Sequence, residues 1–510
     1  MSEPRARQPF ALRLPFAFYP VGVIVLLGLH LWVASGVSPF AAIRGILVSG
    51  LMGIAAAAVG TALVRDRHRG GLIGFLLVIA LVAGGRGPVL LVLLVPVALL
   101  IVERYGLRQL AVNWAWLGRL VTRGTAILAV AVLLEAIQLG RVGDLVTAMQ
   151  NEGPFRQTRT AEAPVDAPDV YVMMLDGYAR ADILQERFAA DDSPFLDGLR
   201  DRGFDVATES HSNYLVTNLS LPSFLNYRHL ADVPAMRPLL ADPGSTEGPY
   251  VYRAASSPSI LDEFRELGYD TVSISSGFEQ VAVRGGDQFI DSGELNEFEF
   301  QMLRPSVVAP IAALIAPDVF SMQHRQRIES VYRAFEDLAT ENTTRPRFVF
   351  AHVPSPHAPW VTGADGSPRT VTNLETWFAD TPGTTGLSRD EVVSGYAEQS
   401  AYVGRRTLTA IDAVLATSAR PRVILVLSDH GSSLDVSINN AETRLRNLFA
   451  ANTPGHPDLY ANDATLVNTF PTLFGAYFGV DLPAAPDTIF TQGPRGLFDP
   501  IPVAATTSRR

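Results

Sequence analysis

The sequence contains no cysteine and no lysine. Without cysteine, the 510-residue chain can form neither disulfides nor thiolate metal sites, so any folded domain must be stabilised by burying a core. Every basic side chain other than histidine is an arginine, and the net charge of −10 disfavours nucleic acid as a partner. The sequence also shows no internal repeat.

Apolar runs with few charges fill residues 1–141. Five of them have the length and polarity of membrane spans, at about 15–36, 45–64, 70–85, 88–102 and 124–140. The third and fourth runs are short and are separated by a Gly-Gly-Arg-Gly-Pro sequence, so a single re-entrant hairpin is the alternative there.

Arginines predict the orientation of these spans, because positive charge near the end of a span resists translocation. They cluster in alternate connections: Arg5, Arg7 and Arg13; Arg65, Arg67 and Arg69; and Arg104, Arg108, Arg119 and Arg123. The other two loops contain only Arg44 and Arg86. This pattern predicts a multi-pass protein of the plasma or inner membrane, with a cytoplasmic N-terminus and an extracytoplasmic C-terminal domain. Glu135, within the fifth span, is expected to face other helices.

Residues 142–169 are predicted to form a linker, because most of this segment is polar, proline-dotted and aperiodic. From 170 to 510 the chain alternates apolar strands, at 170–175, 269–274, 347–353 and 423–427, with helices that carry clear start or stop signals. These strands are too continuously apolar for a half-exposed sheet. We therefore predict an α/β domain with a mostly parallel sheet covered by helices on both faces.

Candidate metal ligands follow two of these strands. Asp176 ends the first, Asp429 and His430 end the last, and a glycine after each lets the backbone turn away. Open α/β sheets bind ligands at the carboxyl ends of their strands. Two carboxylates and an imidazole suit zinc, manganese or magnesium. The alternative is that these residues only close turns.

Thr217 is the candidate nucleophile. Its hydroxyl barely ionises at neutral pH unless a metal ion bonded to the oxygen assists. The Asn-Leu-Ser-Leu-Pro-Ser that follows resembles a helix start, whose free amide groups favour a phosphate. Ser212, Ser220 and Ser223 are rival hydroxyls, and a capping role without chemistry is the alternative for Thr217.

Two histidines flank Val-Pro-Ser-Pro at the end of another predicted strand. His357, in the loop, is the candidate to protonate a leaving oxygen or to hold a transferred phosphoryl group. His352, at the strand end, is expected either to bind substrate or to be a buried structural residue. Trp360 is expected to line a substrate cleft, with simple packing as the alternative.

Together these segments resemble the alkaline phosphatase and sulfatase superfamily, and within it the membrane-bound branch of lipoteichoic acid synthases and phosphoethanolamine transferases. The likeness lies in the five spans before an outer domain, the threonine followed by Ser220 and Pro222, the paired-histidine spacing and the Asp-His-Gly sequence. The resemblance implies an alkaline-phosphatase-like domain with one catalytic divalent metal ion and with His357 near the transferred group. The ligands it implies are Asp176, Thr217, Asp429 and His430.

The chain departs from that branch at several points. The first ligand is usually glutamate, whereas here it is Asp176, as in sulfatases and phosphodiesterases. The disulfides typical of phosphoethanolamine transferases cannot form. A true sulfatase needs a Cys/Ser-x-Pro-x-Arg signature, and residues 220–224 lack the arginine. The chain also lacks a clear Asp-x-x-x-His segment for a second metal ion, which disfavours a two-metal phosphatase.

These observations predict a metal-dependent transferase in which Thr217 attacks a phosphodiester and forms a phosphothreonine intermediate. Because the site would face outward beside the spans, the expected donor is a phospholipid headgroup of the phosphoglycerol or phosphoethanolamine type. The expected acceptor is a glycan or glycolipid of the cell envelope. The alternatives are a phosphodiesterase or sulfatase-like hydrolase, and a non-catalytic envelope scaffold.

Overall fold

The computed structural model describes residues 17–35, 37–83, 114–151, 167–233, 236, 240, 254–374, 386–417, 420–434 and 442–503. The chain divides into two compact units. One contains the N-terminal helices together with Gln301–Ile311, and the other contains the C-terminal α/β domain. The predicted fourth span, at about 88–102, lies outside the described residues.

The N-terminal helices are α1 (Tyr19–Ser35), α2 (Pro39–Val64), α3 (Arg67–Ala83) and α4 (Trp114–Asn151). In the described part of the chain, α2 and the Trp114–Ile137 part of α4 are long and apolar enough to cross a membrane, and α1 is a shorter apolar helix. The apolar character of this region is therefore confirmed, while five spans remain a prediction. Helix α4 also continues through residues 142–151, where a linker is predicted.

Glu135 of α4 contacts another helix, as expected for an acid within an apolar span. Its Oε2 lies 2.8 Å from Nδ1 of His30 in α1. Pairing two polar side chains in this way lowers the cost of placing either one in an apolar bundle.

The C-terminal domain alternates strands and helices. Their order is β1 (Asp169–Leu175), α5 (Ala181–Phe188), α6 (Ser193–Asp201), β2 (Asp205–Val206), α7 (Thr217–Leu225), α8 (Ser259–Glu266), β3 (Asp270–Ile274), β4 (Gln288–Ile290), α9 (Glu297–Leu303), α10 (Val308–Ile315), α11 (Val319–Thr340), β5 (Arg347–Val353), α12 (Arg389–Thr417), β6 (Arg422–Leu427), α13 (Glu442–Leu445), β7 (Phe449–Asn452), α14 (Thr469–Phe478), β8 (Phe490–Gly493) and β9 (Gly496–Pro502). Short 3-10 turns lie at Leu230–Asp232, Glu279–Val281 and Leu466–Asn468.

Seven of these strands form one sheet in the order β2-β7-β6-β1-β5-β3-β4. From β6 to β4 the neighbouring strands are parallel, whereas β7 is antiparallel to both β6 and β2. Strands β8 and β9 form a separate antiparallel pair. The predicted α/β fold with a mostly parallel sheet is confirmed.

Alternate side chains of β1 enter two different cores. Tyr171 and Met173 pack with side chains of α5, α6, α11 and α12 on one face of the sheet. Val170 and Val172 pack with side chains of α7, α8 and α14 on the other. A strand buried on both faces must be apolar throughout, which explains the unbroken apolar run in the sequence. These two cores stabilise a domain that has no disulfide.

Asp192, just before α6, is a buried carboxylate with an incomplete set of partners. Its Oδ1 accepts a 2.7 Å hydrogen bond from the hydroxyl of Tyr178, while its Oδ2 is buried with no hydrogen-bond partner. Burial raises the pKa of Asp192 from 3.8 to about 7, and the hydrogen bond from Tyr178 only partly opposes this effect. The folded domain therefore favours the protonated form of this side chain.

We expect the stability of the domain to fall as pH rises between about 4 and 7, because the folded state binds the Asp192 proton more tightly than the unfolded state. The stabilisation is complete below the unfolded pKa and is lost through the folded pKa, a change of up to roughly 4 kcal/mol. In Asp192→Asn this fall should disappear, as measured by thermal unfolding of the detergent-purified protein at a series of pH values. Asp191→Asn, at the exposed neighbouring position, should retain it. An unaltered pH profile in Asp192→Asn would contradict the assignment.

Candidate active site

Three neighbouring parallel strands bring the candidate residues to one edge of the sheet. Strand β1 lies between β5 and β6, and Met174 of β1 is level with His352 of β5 and Leu427 of β6. Asp176 directly follows β1, and Asp429 follows β6 after one intervening residue. The backbone N–H of Gly177 donates to Oδ1 of Asp429 at 3.0 Å, although the two residues are 252 positions apart.

Asp176, Asp429 and His430 form a candidate metal cluster. One ligand atom from each lies within 4.8 Å of the others, and the three residues are 5%, 0% and 1% exposed. Oδ1 of Asp176 and Oδ2 of Asp429 are buried with no hydrogen-bond partner. Buried carboxylate oxygens without partners are costly unless a cation neutralises them. These residues therefore fit a divalent ion, and the oxygen and imidazole donors suit zinc, manganese or magnesium.

His430 presents its Nε2 atom to the other groups of the cluster. Its Nδ1 lies 2.8 Å from the carbonyl oxygen of Gly431. A carbonyl can only accept, so Nδ1 carries the proton and Nε2 carries the lone pair. Burial lowers the pKa of His430, and Arg444 adds to this effect, which outweighs the opposite effect of Asp429 and Asp176. The neutral ring thus has a ligating nitrogen 3.3 Å from Oδ2 of Asp429.

The hydroxyl of Thr217 differs from the rival hydroxyls in what it contacts. Thr217 is the first residue of α7, and its Oγ1 lies 3.2 Å from Nε2 of His430. The rivals all donate to backbone carbonyls: Ser212 and Ser220 to Tyr214, and Ser223 to Arg228. Of the four hydroxyls that the sequence left open, Thr217 is the one directed at the candidate metal ligands.

The loop before α7 is fixed by contacts with the C-terminal part of the chain. Asn213 donates from Nδ2 to the carbonyl of Thr488, and its Oδ1 accepts from the N–H of Val467. The ring of Tyr214 stacks on Phe490, with centroids 4.8 Å apart. A nucleophile at the start of a helix held in this way stays in one position, which is what catalysis requires.

The turn after β1 depends on Gly177. Its φ of +72° is in the left-handed region, and a Cβ there would lie 3.6 Å from Cε1 of His430. The hydroxyl of Tyr396 in α12 donates to the carbonyl of Gly177 at 2.7 Å and accepts from the N–H of Ala179 at 2.9 Å. These two hydrogen bonds hold the turn that places Asp176.

His352 is buried against Asp176. Its Nε2 lies 3.3 Å from Oδ2 of Asp176, its Nδ1 lies 2.9 Å from Oγ of Ser276, and it is 3% exposed. Burial alone would raise the pKa of Asp176, but His357 and His352 hold it well below its ordinary value. This placement favours a structural role for His352, in orienting Asp176, over a contact with substrate.

His357 lies in the loop after β5 and is half-buried. Its backbone N–H donates to the carbonyl of Asp176 at 2.9 Å, which fixes the loop to the site. Its Nδ1 lies 2.8 Å from the carbonyl oxygen of Ala358, so Nε2 is the nitrogen that gains or loses a proton. His357 is therefore fixed beside Asp176 through its backbone, and its ring has one nitrogen, Nε2, that can donate a proton.

For Trp360, the structure favours the packing alternative over a place in a substrate cleft. Its side chain belongs to the core between the sheet and α12 and is 5% exposed. The ring lies so close to Gly395 that a Cβ there would be 2.9 Å from it, and Nε1 donates to the carbonyl of Pro356 at 3.2 Å. Trp360 packs, and its indole nitrogen is already satisfied.

Arg444 is a candidate functional residue that the sequence analysis missed. Its Nη2 lies 3.4 Å from Nε2 of His430, and its Nε donates to the carbonyl of Leu215 at 2.5 Å. The backbone brings it there, since the N–H of Gly431 donates to the carbonyl of Arg444 at 2.6 Å. No motif marks this arginine, and its only signal is that it follows the Asp-His-Gly turn.

A family model described as Sulfatase matches residues 168–479. No curated protein matches the sequence. Similar solved structures include the C-terminal periplasmic domain of EcEptC from Escherichia coli, with 14% identity and a TM-score of 0.43 over 62% of this chain and 84% of that chain. The integral membrane protein lipooligosaccharide phosphoethanolamine transferase A from Neisseria meningitidis has 13% identity and a TM-score of 0.40, covering 91% and 85%. A protein in the alkaline phosphatase superfamily from Vibrio parahaemolyticus has 15% identity and a TM-score of 0.40, covering 69% and 81%.

We expect the purified chain to bind one divalent cation with Asp176, Asp429 and His430. In Asp429→Asn the affinity should fall by at least about 100-fold, more than is typical when only a residue supporting a ligand is lost. Equilibrium dialysis with elemental analysis would measure this. Asp192→Asn, which also neutralises a buried carboxylate, is the matched control and should bind the ion normally. Full occupancy in Asp429→Asn would rule out this cluster as the site.

Proposed function

The chain belongs to the sulfatase family, and on that premise we propose that it is a metal-dependent phosphoryl-group transferase of the cell envelope. The observation that supports this most directly is the contact between the Thr217 hydroxyl and His430, at 3.2 Å, beside two buried carboxylates with unpaired oxygens. A hydroxyl in that position has the surroundings of an activated nucleophile rather than of a capping group.

Asp176, Thr217, Asp429 and His430 would hold the divalent ion. Bound there, the ion would lower the pKa of the hydroxyl and neutralise charge on the phosphoryl oxygens. The protein supports this binding: His357 and His352 lower the pKa of Asp176, and burial lowers the pKa of His430. Both shifts favour the form that ligates a metal ion, which is an ionised carboxylate for Asp176 and a neutral imidazole for His430.

The proposed reaction has two displacement steps. Before the first step, Thr217 loses its hydroxyl proton to solvent, and it is released as the same alkoxide at the end. In the first step, Oγ1 of Thr217 forms a bond to phosphorus, and the bond from phosphorus to the donor's alcohol oxygen breaks. The positive end of α7 favours the negative charge on the phosphoryl group, and His357 gives its proton to the departing oxygen. In the second, an acceptor hydroxyl attacks the phosphothreonine, gives its proton to His357 and releases Thr217.

Phosphoryl transfer is favoured over sulfate-ester hydrolysis by the residues around the nucleophile. Sulfatases of this family require a formylglycine made from a Cys/Ser-x-Pro-x-Arg signature, and residues 220–224 lack the arginine. Ser220, which occupies the Cys/Ser position of that signature, is also buried and donates to the carbonyl of Tyr214. The hydroxyl directed at the candidate ligands is unmodified Thr217.

The donor and acceptor are proposed from the position of the domain in the chain. Apolar helices precede the catalytic domain, and the arginine pattern predicts that the domain is extracytoplasmic. Enzymes anchored in this way meet phospholipids at high local concentration. We therefore take the donor to be a phospholipid headgroup of the phosphoglycerol or phosphoethanolamine type, and the acceptor to be an envelope glycan or glycolipid. Hydrolysis, with water as acceptor, is the second candidate.

Thr217→Ala should lower turnover of bis(4-nitrophenyl) phosphate by about 1000-fold or more, because the nucleophile is lost. Ser220→Ala removes a hydroxyl from the same helix and should stay within about tenfold of the unmodified protein. Acid-quenched samples should contain a phosphoryl adduct on the peptide with Thr217. An active Thr217→Ala protein with an inactive Ser220→Ala protein would reverse the assignment. Activity in neither Thr217→Ala nor the unmodified protein would favour the scaffold alternative.

Transfer and hydrolysis differ in their products. Full-length protein in vesicles with headgroup-labelled phospholipid should move the label to an added glycolipid acceptor. Release of free labelled headgroup at the same rate with and without acceptor would instead establish hydrolysis.

Arg444 is expected to bind the phosphodiester, because its guanidinium lies beside His430 Nε2. Arg444→Gln should lower kcat/KM by about 10- to 100-fold, the usual effect of losing a charge-assisted hydrogen bond. Arg444→Lys should recover part of the loss, and metal content should be unchanged. The matched control is Arg446→Gln, at an arginine that contacts Asp182 instead. Equal effects of Arg444→Gln and Arg446→Gln would indicate a general structural defect.

A further inference from the structure

Helix α10 exposes an apolar face. Residues 306–317 contain no charged side chain, and Arg304 and Asp318 flank them. Leu314 is 83% exposed, Ile315 78% and Ile311 41%. These three residues are spaced i, i+3 and i+4, so they lie on the same side of the helix. A soluble domain rarely leaves such a cluster in water, which implies that something covers it.

The segment that leads into α10 packs with the membrane helices. Residues Gln301–Ile311 belong to the same compact unit as α2 and α3. The N–H of Val307 donates to the carbonyl of Leu81 at 2.9 Å. Leu81 is in the last turn of α3, where carbonyls lack partners within the helix. Under the predicted topology, that turn is at the outer surface of the membrane, so α10 begins there.

Met302 indicates how far the segment before α10 extends below the outer end of α1. It packs against α1 at Gly28, since a Cβ added to Gly28 would lie 3.6 Å from Cε of Met302. Gly28 precedes the outer end of α1, at Ser35, by about 10 Å of helix rise. The chain then bends by 96° between α9 and α10. A bend of this size is typical of a broken span or of a re-entrant loop, and the depths inferred for Met302 and Val307 favour the re-entrant loop.

We propose that α10 is a re-entrant element that inserts into the outer leaflet, with Ile311, Leu314 and Ile315 against the lipid acyl chains. The occupant of this surface is thus the bilayer itself. The inference rests on the proposed topology, and it adds to the proposed function a second attachment between the catalytic domain and the lipid surface. An apolar helix at that depth lies in the interface plane, where burial of these side chains holds it.

The cysteine-free sequence allows a direct test. Leu314→Cys and Ile315→Cys, made in the full-length chain, would be labelled with bimane in detergent and returned to phosphatidylcholine vesicles. Ala401→Cys is the control, at an exposed position of α12. Brominated acyl chains should quench bimane at 314 and 315 by about twofold or more, since an interfacial helix is buried about 5–10 Å into the headgroup and acyl boundary. The label at 401 should keep its emission.

Equal emission at all three positions in brominated and ordinary vesicles would overturn the proposal. So would absence of quenching together with cross-linking of Cys-substituted chains at 314, which would assign the surface to a second copy. The readout is fluorescence, so it does not depend on activity. Loss of phosphodiesterase activity in Thr217→Ala tests the proposed function separately, and the two can therefore fail independently.

Discussion

Two buried carboxylates held close together are the constraint on which the site depends. Asp176 and Asp429 are buried, and each has an oxygen with no hydrogen-bond partner. In a low-dielectric interior, their repulsion and desolvation would favour separation or protonation. The structure instead fixes them, since the N–H of Gly177 holds Asp429 and Tyr396 holds the turn that follows Asp176. A divalent cation between them would stabilise this arrangement, which is why these residues form a candidate metal site.

Much of the sheet could be predicted from the sequence, because each buried strand is marked by the residues of its own segment. A central parallel strand is buried on both faces, so β1 and β6 appear as unbroken apolar runs, and the residue that ends such a run lies at the edge where ligands bind. The start of α12 is also marked in the sequence. Ser388 and Glu391 have the spacing of a capping box, and Oγ of Ser388 donates to Glu391 at 2.7 Å.

The parts that could not be predicted depend on contacts between distant segments. The sequence favours Thr217 but leaves three serines near the start of α7 as rivals, and the structure shows that each rival donates to a backbone carbonyl. Trp360 follows a histidine motif in sequence, yet its ring packs against Gly395 of α12. Arg444 contacts His430 because the loop after the Asp-His-Gly turn folds back on it, and no residue spacing in the sequence predicts this contact. Side-chain direction after a strand end is set by packing, and local sequence patterns do not encode it.

The nucleophile, rather than charge, separates the proposed phosphoryl transfer from sulfate-ester hydrolysis. A phosphodiester and a sulfate ester are both monoanions, so Arg444 would attract either one. Thr217 makes the distinction, because a threonine cannot become a formylglycine and its hydroxyl lies 3.2 Å from Nε2 of His430. Attack of a threonine on a phosphodiester is therefore the reaction that these residues favour for the proposed function.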